Sequence, residues 1–331
     1  MKLATGILAA LLLLSGCKGL PVVEETRISV RFKAGVLVKS LPDDEATIER
    51  LDLLVFRSLD GIIDTYASSS GSVLDGIEAD VTAGCRLNWY LVANAPEGAL
   101  SGITREEDFL SGNTLLSHTT ASTLVMYGSG TGIFSADAPP TLVQLRRYAC
   151  KVSFGTLRVS YLEGMATMPQ CVLETVALVN ARGQIGWDGT PSDSPAGIWY
   201  NCSRVDNLEG TTASCLISHP NLSLGTAAAD IGTVLYTMPN PSQSAEYASS
   251  MPWTPRRTRL VLGLRIDGAL QWYPVDLPAM QCNTHYRVEN LIITGPGAEQ
   301  PDGAIDRSSI SFNVELRPWG SNISNVDFGT N

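Results

Sequence analysis

Histidine is scarce in this chain, three in 331 residues, and no two cysteines stand in a CxxC spacing. Those absences remove the common ligand sets of a zinc site, so no metal is expected. Charge is thin as well: Asp, Glu, Lys and Arg make up 17% of the residues. The balance is acidic, with a formal net charge of -10 and no basic stripe, which excludes a nucleic-acid surface. The acidic residues are scattered, which fits solubility rather than a binding site. Catalytic patterns are missing too. His118, His219 and His285 belong to no nucleophile motif, and nothing in the spacing of Glu163, Glu174, Asp188 and Asp193 sets up an acid and base pair. Neither an enzyme nor a cofactor is expected. Helix signals are equally rare: only Thr104 to Leu110, with Thr104 and Glu107 spaced as a capping box, predicts one.

What is present is apolar residue in short alternating runs. At 331 residues and 44% hydrophobic composition the chain can bury a sizeable core, in about two domains. Met1 to Cys17 has the pattern of a targeting segment, with Lys2 ahead of the apolar run Ile7 to Leu14, too short to span a bilayer. Its end, Leu14-Ser15-Gly16-Cys17, resembles the lipobox of bacterial lipoproteins. That resemblance implies acylation of Cys17 and anchoring to the outer membrane, each buried methylene contributing about 0.8 kcal/mol. Six further cysteines permit disulfides in an exported chain. Cys202 and Cys215, which flank a polar segment, are the first pair expected.

Ile28, Val30 and Phe32 alternate with Ser29, Arg31 and Lys33, predicting a strand with one buried face that runs on to Lys39. Ser40 to Glu45 follows as an exposed acidic loop, open to a trypsin-like protease between Lys39 and Ser40. Strands are predicted at Ile48 to Phe56, at Ile62 to Tyr66 after an Asp60-Gly61 turn, within Val73 to Val81, and at Arg86 to Ala95 with Leu87, Trp89, Leu91 and Ala93 on one face. Ser68 to Ser72 reads as a loop, and Gly128 to Gly132 as a glycine-rich turn after a strand at Leu124 to Tyr127. No lysine or helix follows those glycines to make a phosphate loop. Thr141 to Val159 reads as one extended strand entering a second domain, and Cys171 to Val179 as another strand. Gly186 to Pro195 is loop, and Trp199 to Pro255 a long irregular region. Strands follow at Arg259 to Ile266, Leu270 to Val275 and His285 to Thr294. Ile310, Phe312, Val314 and Leu316 form a last amphipathic strand that ends at Pro318 and Trp319, before a polar tail, Gly320 to Asn331.

Several stretches, taken in order, resemble the fimbrillin family, the pilins of Bacteroidales type V pili. They are the lipobox at Cys17, Ile28 to Lys33, Asp43-Asp44-Glu45, Leu51 to Phe56, Arg86 to Asn94, Tyr127 to Gly132, Leu145 to Val152, Tyr286 to Gly297 and Trp319. The resemblance implies an all-β fold of two transthyretin-like β-sandwich domains with one or few short helices. Residues 1–17 would be the leader, 18–147 an N-terminal domain whose first strand, 28–39, is removable, and 148–331 a C-terminal domain ending in a donor strand, 308–331. It also implies polymerisation by donor-strand exchange: a protease removes Ile28, Val30 and Phe32 with their strand, and Ile310, Phe312, Val314, Leu316 and Trp319 of another subunit refill the slot. The implied partners are other fimbrial subunits in a homopolymer or mixed pilus, a trypsin-like processing protease, the outer membrane through the lipid, and an adhesion ligand on a host or bacterial surface. One departure stands out. The family's cut follows arginine, whereas Lys39 is the only basic residue between Ala34 and Glu45, which leaves an unprocessed anchor subunit as an alternative. The other is a tethered ligand- or glycan-binding lipoprotein that uses Trp199, Tyr200 and Trp253.

Overall fold

A computed structural model describes residues 26–36, 43–72, 74–160, 169–191, 197–202, 214–244, 254–301 and 303–319. The lipobox Cys17, the cut site Lys39 and Ser40, the stacking candidate Trp253, Glu163, Asp193 and the tail 320–331 lie outside them. Chain order in the first half runs β1 (Arg27–Val36), β2 (Arg50–Arg57), β3 (Ile63–Ser70), β4 (Gly76–Thr82), β5 (Arg86–Ala93), α1 (Glu106–Ser111), β6 (Asn113–Leu115), β7 (Met126–Ile133) and β8 (Thr141–Arg147). The second half has β9 (Cys150–Phe154), β10 (Thr156–Val159), β11 (Cys171–Val179), β12 (Ala181–Arg182), β13 (Gln184–Gly186), β14 (Trp199–Tyr200) and β15 (Ile217–Ser218). It continues with β16 (Leu222–Leu224), β17 (Ala229–Asp230), β18 (Val234–Thr237), β19 (Arg259–Ile266), β20 (Ala269–Asp276), β21 (Thr284–Ile293) and β22 (Ile310–Pro318). The fold is all-β, and α1 is the one α-helix among the described residues.

The first half is a seven-stranded sheet ordered β3-β2-β5-β7-β8-β1-β4. Its two ends meet, because Thr65 Oγ1 on β3 donates to the Asp80 carbonyl on β4 at 2.5 Å and Thr82 Oγ1 donates to Asp64 at 2.6 Å. The folded-over sheet encloses Val30, Phe32, Leu51, Leu53, Val55, Val81, Leu87, Trp89 and Leu91. In the second half one sheet runs β17-β10-β21-β9-β18, with β22 added on β21, and another runs β15-β11-β19-β20, with β16 on β11. Val152, Tyr286 and Val288 from the former meet Leu173, Leu178 and Leu262 from the latter in one core. That core continues into the first half through Leu54, Phe56, Val92 and Phe109, and β6 pairs with β13 across the junction.

Several local expectations are overturned. Gly128 to Gly132 is not a turn but the middle of β7. A side chain at Gly128 would meet Val143 at 2.6 Å and one at Gly130 the Trp89 ring at 2.3 Å, so glycine there serves close packing. Ser68 to Ser70 continues β3, its backbone paired to Arg50, Leu51 and Asp52. Thr141 to Val159 breaks into β8, β9 and β10, with Tyr148 buried at the first break and Gly155 at the second. The helix is capped by Arg105 rather than Thr104 and has no side-chain cap. The Thr104 carbonyl instead accepts the Ile63 amide, and Arg105 bridges Ile62. The described parts of Trp199 to Pro255 carry five short strands. Cys202 and Cys215 form no disulfide with each other. Cys215 packs against Leu124, Ala149, Tyr236 and Trp319.

Candidate assembly site

The strand β1 is built as the alternation requires. Val30 is 5% exposed and Phe32 fully buried, Ile28 packs on the same core, and Ser29, Arg31 and Lys33 face solvent. Phe32 meets Trp89 and Phe134 edge to face, at 5.8 and 5.6 Å between ring centres. The backbone is held from both sides. Arg27 to Lys33 pair antiparallel with β4, and Phe32 to Val36 pair parallel with β8. Arg27 also donates to Thr65 Oγ1 at 2.6 Å and to the Asp80 carbonyl at 2.5 Å, spanning the closure between β3 and β4. Each of Val30 and Phe32 stabilises this strand by about 1.5 to 3 kcal/mol of apolar burial. Without β1, two lengths of backbone edge and an apolar slot would face water.

The C-terminal strand β22 is held on one side only. It pairs antiparallel with β21 from Ile293↔Ile310 to Thr284↔Pro318, with a bulge between Glu289 and Ile292, and with no other strand among the described residues. Phe312, Val314 and Leu316 lie on the core but are only half-buried, whereas Ile310 at one end and Trp319 just beyond the other are buried, Trp319 to 1%. The most deeply buried side chains of this segment therefore lie at its two ends.

The sequence reading missed what fixes the Trp319 end. Asp43–Ala46 forms a 3-10 turn, and Glu45 in it is 5% exposed, not part of a solvated acidic loop. One oxygen of its carboxylate accepts from Lys151 Nζ at 2.6 Å and Tyr236 OH at 2.8 Å, and the other from Trp319 Nε1 at 2.8 Å. The Glu45 carbonyl accepts from Arg147 Nη2 at 3.0 Å and Nε at 3.2 Å. The same guanidinium donates to the Trp319 carbonyl and to Asn283 Oδ1, both at 3.3 Å, and lies 4.7 Å above the indole. Tyr236 stacks on the same indole, 5.7 Å away and 18° off parallel. Burial works to raise the Glu45 pKa, but the bonds from Lys151 and Trp319 outweigh it and hold the carboxyl below its usual range. Burial pushes Arg147 down to about 10. Nearby, His285 is pushed down to about 4 by burial and by the Lys151 charge, and shares a 2.6 Å hydrogen bond with Ser153. Arg147 and Lys151 fall within the run Thr141 to Val159 that reads as one extended strand, which gives neither a role. Glu45 and Trp319 are 274 positions apart, so no local pattern could have joined them.

Three of the described candidates for other chemistry are engaged in structural contacts. Asp188 accepts from the Thr190 amide and hydroxyl, Glu174 is paired with Arg265, and Trp199 lies under Arg182. Among the described residues no group of His, Cys, Asp and Glu is placed to hold a metal.

Known structures share this architecture. A fimbrilin, FimA, from Porphyromonas gingivalis superposes with a TM-score of 0.63 at 15% identity, over 88% of this chain and 97% of that one. The chain has the fimbrilin fold. A Parabacteroides distasonis protein provisionally described as a cell adhesion protein gives 0.62 at 15% identity, over 91% of this chain and 99% of that one. The tip fimbrial protein Mfa3 of Porphyromonas gingivalis, with C-terminal truncation, gives 0.51 at 15% identity, over 87% and 99%. No protein-family model and no curated protein matches the sequence. In the fimbrilin fold of this chain, the strand expected to be removable is an inner strand of its sheet, and the strand expected to be donated lies at a sheet edge.

Proposed function

We propose that this chain is the precursor of a structural fimbrial subunit, anchored to the outer membrane through acylated Cys17 and assembled at the cell surface by donor-strand exchange. The observation that carries the reading is the pairing of two matched strands in one fimbrilin fold. The strand β1 fills an apolar slot between β4 and β8, and β22 repeats its alternation from an edge that it can leave by giving up one ladder. A trypsin-like protease cutting at Lys39 and Ser40 would free Ile28, Val30 and Phe32. Segment 308–331 of a second subunit, with Ile310, Phe312, Val314 and Leu316, would then restore the lost hydrogen bonds and burial. Other fimbrial subunits are the partners, and no catalysis by this chain is needed.

Limited trypsin treatment of the purified precursor tests this. A cut near Lys39 followed by ladders that resist sodium dodecyl sulfate is the expected result. A clean cut whose product stays monomeric would overturn strand exchange and leave a tethered surface protein. A chain recovered from cells with lipidated Cys17 and an intact Lys39 would identify a retained anchor subunit instead.

A further inference from the structure

The Glu45 cluster joins three parts of the chain: the turn after β1, the β8–β9 crossing with Arg147 and Lys151, and the end of β22. Among the described residues its charges do not cancel. Two buried cations face one buried carboxylate, and Arg147 is satisfied by the carbonyls of Glu45 and Trp319, together with Asn283. A buried ionic cluster of this kind adds little net stability over an apolar replacement, but losing one member leaves an uncompensated charge. The arrangement thus holds both segments or neither.

We propose that this cluster is a latch: the turn that follows β1 keeps the end of β22 docked on its own molecule, and β22 leaves only after the contact of Glu45 with Trp319 has opened. Ile310 and Trp319 are the buried ends of an otherwise half-buried edge strand, so opening the Trp319 end exposes a ladder that can peel from one side. Glu45 lies downstream of any cut between Val36 and Asp43, so proteolysis removes β1 without removing the latch. Vacating the slot and releasing the donor are then separate steps, and the donor stays docked until the latch itself opens. The consequence for assembly rests on the strand-exchange reading. The latch itself does not.

Hydrogen exchange on the uncut, full-length chain separates the two. In Glu45→Gln and, more conservatively, Trp319→Phe, which keeps an aromatic ring in the stack while removing the N–H donor and part of the indole's bulk, the amides between Ser311 and Arg317 that bond to β21 should exchange about tenfold faster or more. Those of β11 and β19 should stay at the parent rate. Unchanged exchange in β22, or an equal rise in every strand, would overturn the latch. If Glu45→Gln fails to fold, Trp319→Phe alone decides. Trypsin is then added to both variants. Faster ladder formation than in the parent supports a latch that restrains assembly, whereas selective β22 opening without ladders in any protein, parent included, keeps the latch and refutes strand exchange.

Discussion

Glu45 and His285 set how this protein should respond to acid. The Glu45 carboxyl is held below its usual range by donors from Lys151, Trp319 and Tyr236, so its contribution is present above about pH 4.5 and is lost as the pH falls through the folded value. His285 is kept neutral to about 4 in the folded chain, against about 6.5 when unfolded. Its contribution is full above about pH 6.5 and is lost as the pH falls toward 4. Both signs agree, since acid removes the one carboxylate of the cluster and adds a cation beside Lys151, Arg287 and Arg317. Urea unfolding should therefore show stability flat near pH 7 and falling steadily between pH 6.5 and 4. In His285→Gln the fall should begin only near pH 4.5. The residue scale is also where sequence reading did least well. Glu45 is next to Asp43 and Asp44 and has the composition of an exposed loop, and only the buried donors around it reveal its role.

Strands were the most legible level. The alternation of Ile28, Val30 and Phe32, and of Ile310, Phe312, Val314 and Leu316, located β1 and β22, because a sheet with one buried face imposes a period of two on its sequence. Cys171–Val179 and Arg259–Ile266 were equally plain. Gly128 to Gly132 misled because glycine marks turns and also close approach, and the bulk of Trp89 and Val143 above β7 decides between them. At this scale the donor face can be tested directly. Placing Asp at both Phe312 and Val314, which are half-buried and not enclosed, should leave a folded, trypsin-cleavable precursor with the parent circular dichroism. Its ladders should vanish on gels, since two carboxylates cannot enter the slot that holds Val30 and Phe32 at 5% and 0% exposure. Ladders of parental length would show that β22 is not the inserted strand.

Across the whole molecule, the two halves share one apolar cluster and the β6–β13 pairing as well as the Glu45 contacts. They should lose structure together in urea, with tryptophan fluorescence and far-ultraviolet dichroism giving one coincident transition. Lys151→Met removes the salt-bridge partner that Glu45 has among the described residues, leaves Arg147 as the cluster's one cation, and should lower stability by about 1 to 3 kcal/mol. It should also pull the two probes apart. Coincident transitions in that variant would mean that the apolar cluster alone couples the halves.

Composition and periodicity by themselves determined an all-β chain with matched amphipathic strands near its two ends, because burying one face of a sheet dictates which positions must be apolar. Where those strands sit was decided only in three dimensions. Strand order comes from pairings between segments far apart in sequence, and these place β1 inside one sheet, β22 at the edge of another, and Glu45 at the N–H edge of the Trp319 indole. No local pattern encodes such a meeting, since its energy exists only once desolvated groups from separate segments have been brought together.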